Sequence, residues 1–272
     1  MPATVTAFGA DADTTPELAM LRISGAEAHR FLQGQLSNDM NLLSADRLLG
    51  AGLHNPQGRV LALLWLTAPG VDEIFALLPA DLAATAANAL RRFVLRAKVN
   101  IEIVPVSALI SALPGAPAST AAARIQAIGN GQPQIYAASS GQFIAQMLNL
   151  DCVGAISFTK GCYTGQEVIA RAHYRGRVKR RMQRFATSDA LPPTPGAALR
   201  LTDGRTAQLV DSVTLADGSY EFLAVAPLPS TMNSADGGTP ADSHAATHNP
   251  TASSGAVLIA CHPLPLPYTL PQ

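Results

Sequence analysis

This chain has little charge, few cysteines and few aromatic residues, and each shortage excludes something. Only 14% of the 272 residues are charged, while 48% are hydrophobic, a balance that describes a globular chain rather than a disordered one. The three cysteines, Cys152, Cys162 and Cys261, form no CxxC pair. An odd, unpaired set excludes a disulfide framework and a self-contained four-cysteine metal or iron–sulfur site, and it fits a reducing compartment. No permanently bound metal is expected. The longest aliphatic or aromatic run, Val60 to Leu66, is too short to cross a bilayer. The N-terminus lacks a basic segment leading into an apolar one, so no secretory signal is read and the expected location is cytoplasmic.

What charge there is lies unevenly. The formal net charge is zero, yet Lys160, Arg171, Arg175, Arg177, Lys179, Arg180, Arg181 and Arg184 face a single acid, Glu167, within one short stretch. Such a segment suits an anionic partner. The spacing of Arg171, His173, Arg175, Arg177 and Lys179 would put these cations on one side of a strand. Phe158, Tyr163 and Tyr174 are too sparse in sequence to mark a base-stacking platform.

The length allows two or three domains on one buried framework. Leu21 to Ile23 is strand-like. Ser24 and Glu27 have capping-box spacing, and Ala28, Phe31 and Leu32 give the following helix its apolar face. Two apolar strands, Arg47 to Leu53 and Arg59 to Leu66, flank the turn His54-Asn55-Pro56-Gln57-Gly58 and read as a hairpin. Another strand at Ile74 to Leu78, a helix at Leu82 to Val94 and a strand at Lys98 to Val104 follow. This order indicates α+β. A Pro/Ala/Ser-rich connection, Leu113 to Ala122, precedes an expected helix over Ser139 to Leu150. Beyond Arg184 come short strands with Asp-Gly turns at 203–204 and 217–218, the pattern of a small antiparallel sandwich or barrel. Ser230 to Gly255 is a polar insertion, Val257 to Cys261 a last strand, and Pro263 to Gln272 extended.

The most informative stretch is Lys160-Gly161-Cys162-Tyr163-Thr164-Gly165-Gln166-Glu167. A cysteine near positive charge or a helix N-terminus favours its thiolate, and here Lys160 is two residues upstream with a helix opening at Gly165. Thr164 to Glu167 also fits a capping box, which would make Glu167 structural. Asn38-Asp39 and His54-Asn55 read first as hydrogen-bonding turn residues. The Asp39 carboxylate is also suited to accept paired N–H donors from an aromatic heterocycle.

Lys160 to Glu167 resembles, residue for residue, the Lys-Gly-Cys-Tyr-x-Gly-Gln-Glu signature of the YgfZ-type folate-binding proteins, relatives of the glycine-cleavage aminomethyltransferase (T-protein). Supporting blocks stand in family order: Phe31 to Asp39, His54 to Arg59, Gln142 to Gln146 with Leu148 to Leu150, Ala172 to Gly176, and Leu266-Pro267-Tyr268. The resemblance implies an aminomethyltransferase-like ring of α+β modules over residues 1–184, then a C-terminal antiparallel β-barrel over 185–272 carrying the insertion at 230–255. It implies a tetrahydrofolate-binding accessory protein for assembly or repair of iron–sulfur clusters in client proteins, indirectly supporting tRNA modification. Cys162 maps to the family's reactive thiol, with Lys160 beside it. Asp39, Asn55, Tyr163, Gln166, Glu167 and Arg175 are the expected folate-binding residues. Where the T-proteins carry an Asp-Asp pair this chain has Ala62 and Leu63, so glycine-cleavage chemistry is not expected. Gln126 stands where a carboxylate would be. A folate-dependent one-carbon transferase and a nucleic-acid-binding module remain alternatives; direct nucleic-acid binding and membrane association are not expected.

Overall fold

The structure, a computed structural model, describes residues 17–106, 120–176, 178–191, 194–228 and 256–271. The insertion at 230–255, most of the 113–122 connection and Arg177 therefore lie outside the described residues. Two sheets organise the chain. The first contains β1 (Leu18–Ser24), β2 (Leu49–His54), β3 (Val60–Gly70), β4 (Glu73–Pro79) and β5 (Asn100–Val104), in the order β2-β3-β4-β1-β5, every pairing antiparallel. The expected hairpin joins β2 to β3, with Leu49 opposite Leu66 and Leu53 opposite Ala62. Every β2 residue is buried, and β3 buries most of its length, which is why both read as near-continuous apolar runs.

Helix α1 (Ala28–Gln35) buries Ala28, Phe31 and Leu32, and α2 (Ala80–Arg91) buries Leu82, Ala83, Ala86, Ala87 and Leu90. The Ser24–Glu27 capping box does not form. Glu27 is itself the N-cap, without a side-chain cap bond, and its Oε2 accepts the Lys98 backbone N–H at 2.7 Å. A cross-connection to the strand approaching β5 has displaced the local cap.

The helix expected over Ser139 to Leu150 is also replaced. The segment forms two 3-10 turns, Ala137–Ser139 and Ala145–Leu148, separated by Gly141 at φ 74° and closed by Asn149 at φ 55°. Its backbone is drawn onto the start of β3 instead: Val60 N–H donates to Phe143 O and Gly141 N–H to Val60 O. A helix not anticipated from the sequence, α3 (Thr120–Gly129), stands at the end of the Pro/Ala/Ser-rich connection.

After α4 (Gln166–Tyr174) the second sheet comprises β6 (Arg180–Thr187), β7 (Ala198–Leu201), β8 (Thr206–Thr214), β9 (Tyr220–Pro227), β10 (Val257–Ile259) and β11 (Cys261–Leu264). Its order is β10-β7-β8-β9-β6-β11. The Asp-Gly turns fall as read, with Gly204 and Gly218 at φ 82° and 81°. Adjacent strands β10 and β11 pair with opposite edges, so the sheet curls into a half-barrel. It is not wholly antiparallel, because β10 runs parallel to β7.

One apolar core extends from the first sheet to Met182, Val210, Leu223 and Val225 on the outer face of the second. Phe185, Leu199, Leu209, Phe222 and Ile259 form a separate core on its inner face. Alternating residues of β8 and β9 thus serve two cores.

Candidate functional site

The Phe31–Asp39 block acts as a junction. Ser37 N–H donates to Gly52 O of β2 and its carbonyl accepts Ser157 N–H, while its hydroxyl donates to Ala155 O at 2.7 Å and accepts Gly52 N–H at 2.8 Å. Buried Asn38 donates to Gly50 O and Gly154 O, both at 2.8 Å. Gln33 accepts Met40 N–H at 2.7 Å and donates to Asp39 Oδ1 at 3.0 Å. These polar residues are buried or half-buried because each closes a backbone gap between elements.

Asp39 caps the 3-10 turn Met40–Leu42. Its Oδ1 accepts from Asn41 N, Asn41 Nδ2 and Gln33 Nε2. The Asn41 backbone N–H, helped by Gln33 and Lys160, holds this carboxyl below its ordinary range. All three bonds use Oδ1, and among the described residues Oδ2 has no hydrogen-bond partner. A fixed, ionised carboxylate with one free oxygen is suited to accept a donor from outside the chain.

Lys160 does something other than flank the thiol. Its buried ammonium donates to Gln33 O at 2.5 Å, Leu36 O at 2.6 Å and Asn38 O at 3.0 Å, and stands 5.1 Å from the Tyr163 ring centre. Three donors meet three carbonyls at the C-terminal end of α1, where orphan carbonyls and the helix dipole favour a cation. Burial lowers its pKa to about 8, with Asp39 acting in the opposite sense.

The turn at Asn55 closes on itself: Asn55 Oδ1 accepts Arg59 N–H at 2.9 Å, and its carbonyl accepts Gly58 N–H at 2.9 Å. The Cys162 loop lies directly against this turn. Gly165, at φ 83°, is the N-cap of α4, and a Cβ there would come 2.6 Å from Asn55 O. A Cβ on Gly58 would come 3.0 Å from Val168 Cβ. Two glycines therefore permit the approach of two loops. Because the cap falls on a residue without a side chain, the Thr164–Glu167 capping box is absent. Glu167 instead pairs with Arg171 at 2.9 Å across one exposed helical turn.

Beneath the loop, Tyr163 is buried, its hydroxyl pushed up to about 12 by desolvation. His54 is 2% exposed, and its ring centre lies 6.2 Å from that of Tyr163. Among the described residues neither His54 nitrogen makes a hydrogen bond of good geometry, and burial, opposed by the nearby Gly52 backbone, pushes its pKa down to about 4. Cys162 is exposed. Gln166 is half-buried, its N–H donating to Tyr163 O at 3.2 Å, and Arg175 is exposed at the end of α4.

The basic segment does not form one cationic row. Arg171 and His173 belong to a helix, where the expected strand alternation has no meaning, and Arg175 is its C-cap. Arg181 is withdrawn into the interior, bonding both Asp151 oxygens at 3.0 Å, and Arg184 pairs with Glu221 at 2.6 Å. Phe158 and His173 do stack, with ring centres 3.8 Å apart and Tyr174 edge-on to both, a cluster invisible in sequence because it joins a loop to a helix end. His54, read from the sequence as a hydrogen-bonding turn residue, is instead the buried last residue of β2, its ring beside Tyr163 of the signature. Gln126 is exposed on α3, while Ala62 and Leu63 are core residues of β3. The two described cavities, about 260 and 210 Å³, are lined by Phe185 and Cys261 with their neighbours and by Glu27 to Gln35 with Ala97, not by the Cys162 loop. Among the described residues no three His, Cys, Asp or Glu side chains gather as a metal site, and no helix is long and apolar enough to cross a membrane.

No family model matches the chain. The tRNA-modifying protein YgfZ of Yersinia pestis (strain Pestoides F) is 28% identical over 270 residues, covering 76% of this chain and 81% of that protein. The protein of the same name from Escherichia coli O139:H28 is 46% identical over a 99-residue segment, 35% of this chain and 30% of that one. The glycine cleavage system aminomethyltransferase T of Bartonella henselae superposes with a TM-score of 0.56 at 14% identity, covering 77% of this chain and 76% of that one. The chain is thus similar to the YgfZ proteins in sequence, and its fold is aminomethyltransferase-like. In this chain the stretch from Lys160 to Glu167 packs on the Asn55–Gly58 turn and is tethered by Lys160.

Proposed function

We propose that this chain is a tetrahydrofolate-binding accessory protein for assembly or repair of iron–sulfur clusters in client enzymes, through which it indirectly supports tRNA modification. The observation that carries the reading is the exposure of Cys162 at the tip of a loop whose base is tied to the Asp39 turn. A thiol that is to meet a client's cluster or sulfur must reach solvent, and a lone cysteine suits transient contact rather than permanent cluster storage.

The residues present fit a reduced pterin. Asp39 has a free carboxylate oxygen for paired N–H donors, and exposed Arg175, without an ion-pair partner among the described residues, suits a carboxylate tail. Asn55, Gln166 and Tyr163 shape the loop base, while Glu167, paired with Arg171, faces solvent. When bound, tetrahydrofolate supplies one-carbon carrier chemistry. The chain's own part is to orient the ligand at Asp39 and to keep the Cys162 sulfur accessible. Aminomethyl transfer is less well served, because Ala62 and Leu63 offer no carboxylate. A polyanion site is less well served too, since Arg181 and Arg184 are already paired.

Titration of wild type and Cys162→Ala with tetrahydrofolate, alongside complementation of a deletion strain, tests the proposal. Both proteins should bind within about threefold of each other, while the variant fails to restore iron–sulfur enzyme activity. Absence of binding by wild type, or full rescue by Cys162→Ala, rejects it.

A further inference from the structure

Within the signature, Lys160 is the residue whose conformation is most fully determined and whose chemistry is least used by the proposal above. Its side chain runs away from the exposed tip of the loop into the protein, and its three N–H donors end on the carbonyls of Gln33, Leu36 and Asn38. These are the carbonyls that surround the departure of the chain from α1 into the Asp39 turn. Gln33 is the pivot: its carbonyl holds Lys160, its amide N–H holds Asp39 Oδ1, and its amide oxygen holds Met40 N–H. One ammonium therefore ties the loop bearing Cys162 to the turn bearing the carboxylate with a free oxygen.

We infer that Lys160 is a positioning residue, which sets the Asp39 carboxylate relative to the Cys162 loop so that a single ligand engages both. The inference rests on the folate reading for the ligand's identity but not for the tether itself. An ammonium is the suitable group here. It offers three donors to three converging carbonyls, whereas a guanidinium presents a planar fork and an apolar side chain leaves the carbonyls unpaired. The groups facing the ammonium are the Asp39 carboxylate, from the turn after α1, and the buried Tyr163 ring on its own loop. Neither is a substrate-like proton donor, and all three Lys160 donors are engaged. The amine thus works through Asp39 rather than on the reacting atoms.

The test compares wild type, Lys160→Met, Lys160→Arg, Asp39→Asn and the Lys160→Met/Asp39→Asn double variant. Backbone hydrogen exchange at Asp39 and Asn41 and the rate of Cys162 alkylation by iodoacetamide are measured without ligand, and the tetrahydrofolate Kd is measured separately. Lys160→Met should speed exchange at Asp39 and Asn41 about tenfold, change the alkylation rate and weaken tetrahydrofolate about tenfold. Lys160→Arg should recover part of each effect. In the Asp39→Asn background, Lys160→Met should weaken binding little further, because coupled residues are non-additive. Fully additive losses in the double variant would show a merely structural lysine and overturn the inference. Unchanged exchange and alkylation in Lys160→Met would overturn it whether or not folate binds. If wild type binds no tetrahydrofolate while exchange and alkylation respond as expected, the functional reading fails and the tether stands. Should Lys160→Met not fold, Lys160→Arg carries the same comparison, and wild-type exchange at Asp39 and Asn41 overturns the inference.

Discussion

Lys160 and Cys162 stand two positions apart, with only Gly161 between them, yet they occupy opposite environments. The base of the loop is buried and bonded: Lys160 holds three carbonyls, Tyr163 packs near His54, and Gly165 fits against the Asn55 turn. The tip and the helix beyond it are exposed, with Cys162 in solvent and Glu167 pairing with Arg171 across one helical turn. The contrast teaches that a short signature can divide its work. Some of its residues fix a conformation, and the one they present is left exposed.

The largest effect expected from testing that division is at the base. Gly165→Ala must place a Cβ 2.6 Å from a backbone oxygen at a φ of 83°. Left-handed strain and overpacking together should cost about 4 kcal/mol, measured by denaturant unfolding. An ordinary surface-like loss at this position would show that the loop base is loose.

His54 gives the next effect, through pH. An unfolded chain takes up this proton near 6.5, while the folded chain does so only near 4. Between these values the unfolded state binds more protons, so stability falls as pH falls from 6.5 towards 4, by about 3 kcal/mol from this group. His54→Gln should flatten that part of the profile relative to wild type. An identical acid slope in the variant would place the imidazole in contact with water.

At the tip the effects should be small. Glu167→Gln removes an exposed pair and should cost about 0.5 kcal/mol or less, shrinking with added salt. Cys162→Ala should change unfolding free energy by no more than about 0.5 kcal/mol. A much larger loss would mean that the thiol is part of the packing, and the contrast between base and tip would dissolve.

Much of the first sheet was legible because its signals are local. Alternating or continuous apolar runs marked β1 to β5, and the Asn-Pro-x-Gly turn marked the β2–β3 hairpin. The Asp-Gly turns of the second sheet were legible for the same reason. Caps were not. Glu27 and Glu167 each had capping-box spacing, but one found a distant backbone N–H and the other an arginine one turn away. The segment from 139 to 150 failed as a helix because bonds to β3 and left-handed Asn149 outcompeted it. Among site residues, Cys162 was marked by its motif, but the value of Lys160 depends on carbonyls more than a hundred residues earlier.

The sequence by itself determined the apolar periodicity, the turn glycines and the eight-residue signature, since these depend on side-chain chemistry and backbone freedom within a few residues. Only the tertiary structure decided where the charges went. It drew Lys160 and Arg181 inward and left Arg175 outside, because burying a cation is tolerable only where distant carbonyls or a carboxylate converge to replace its water.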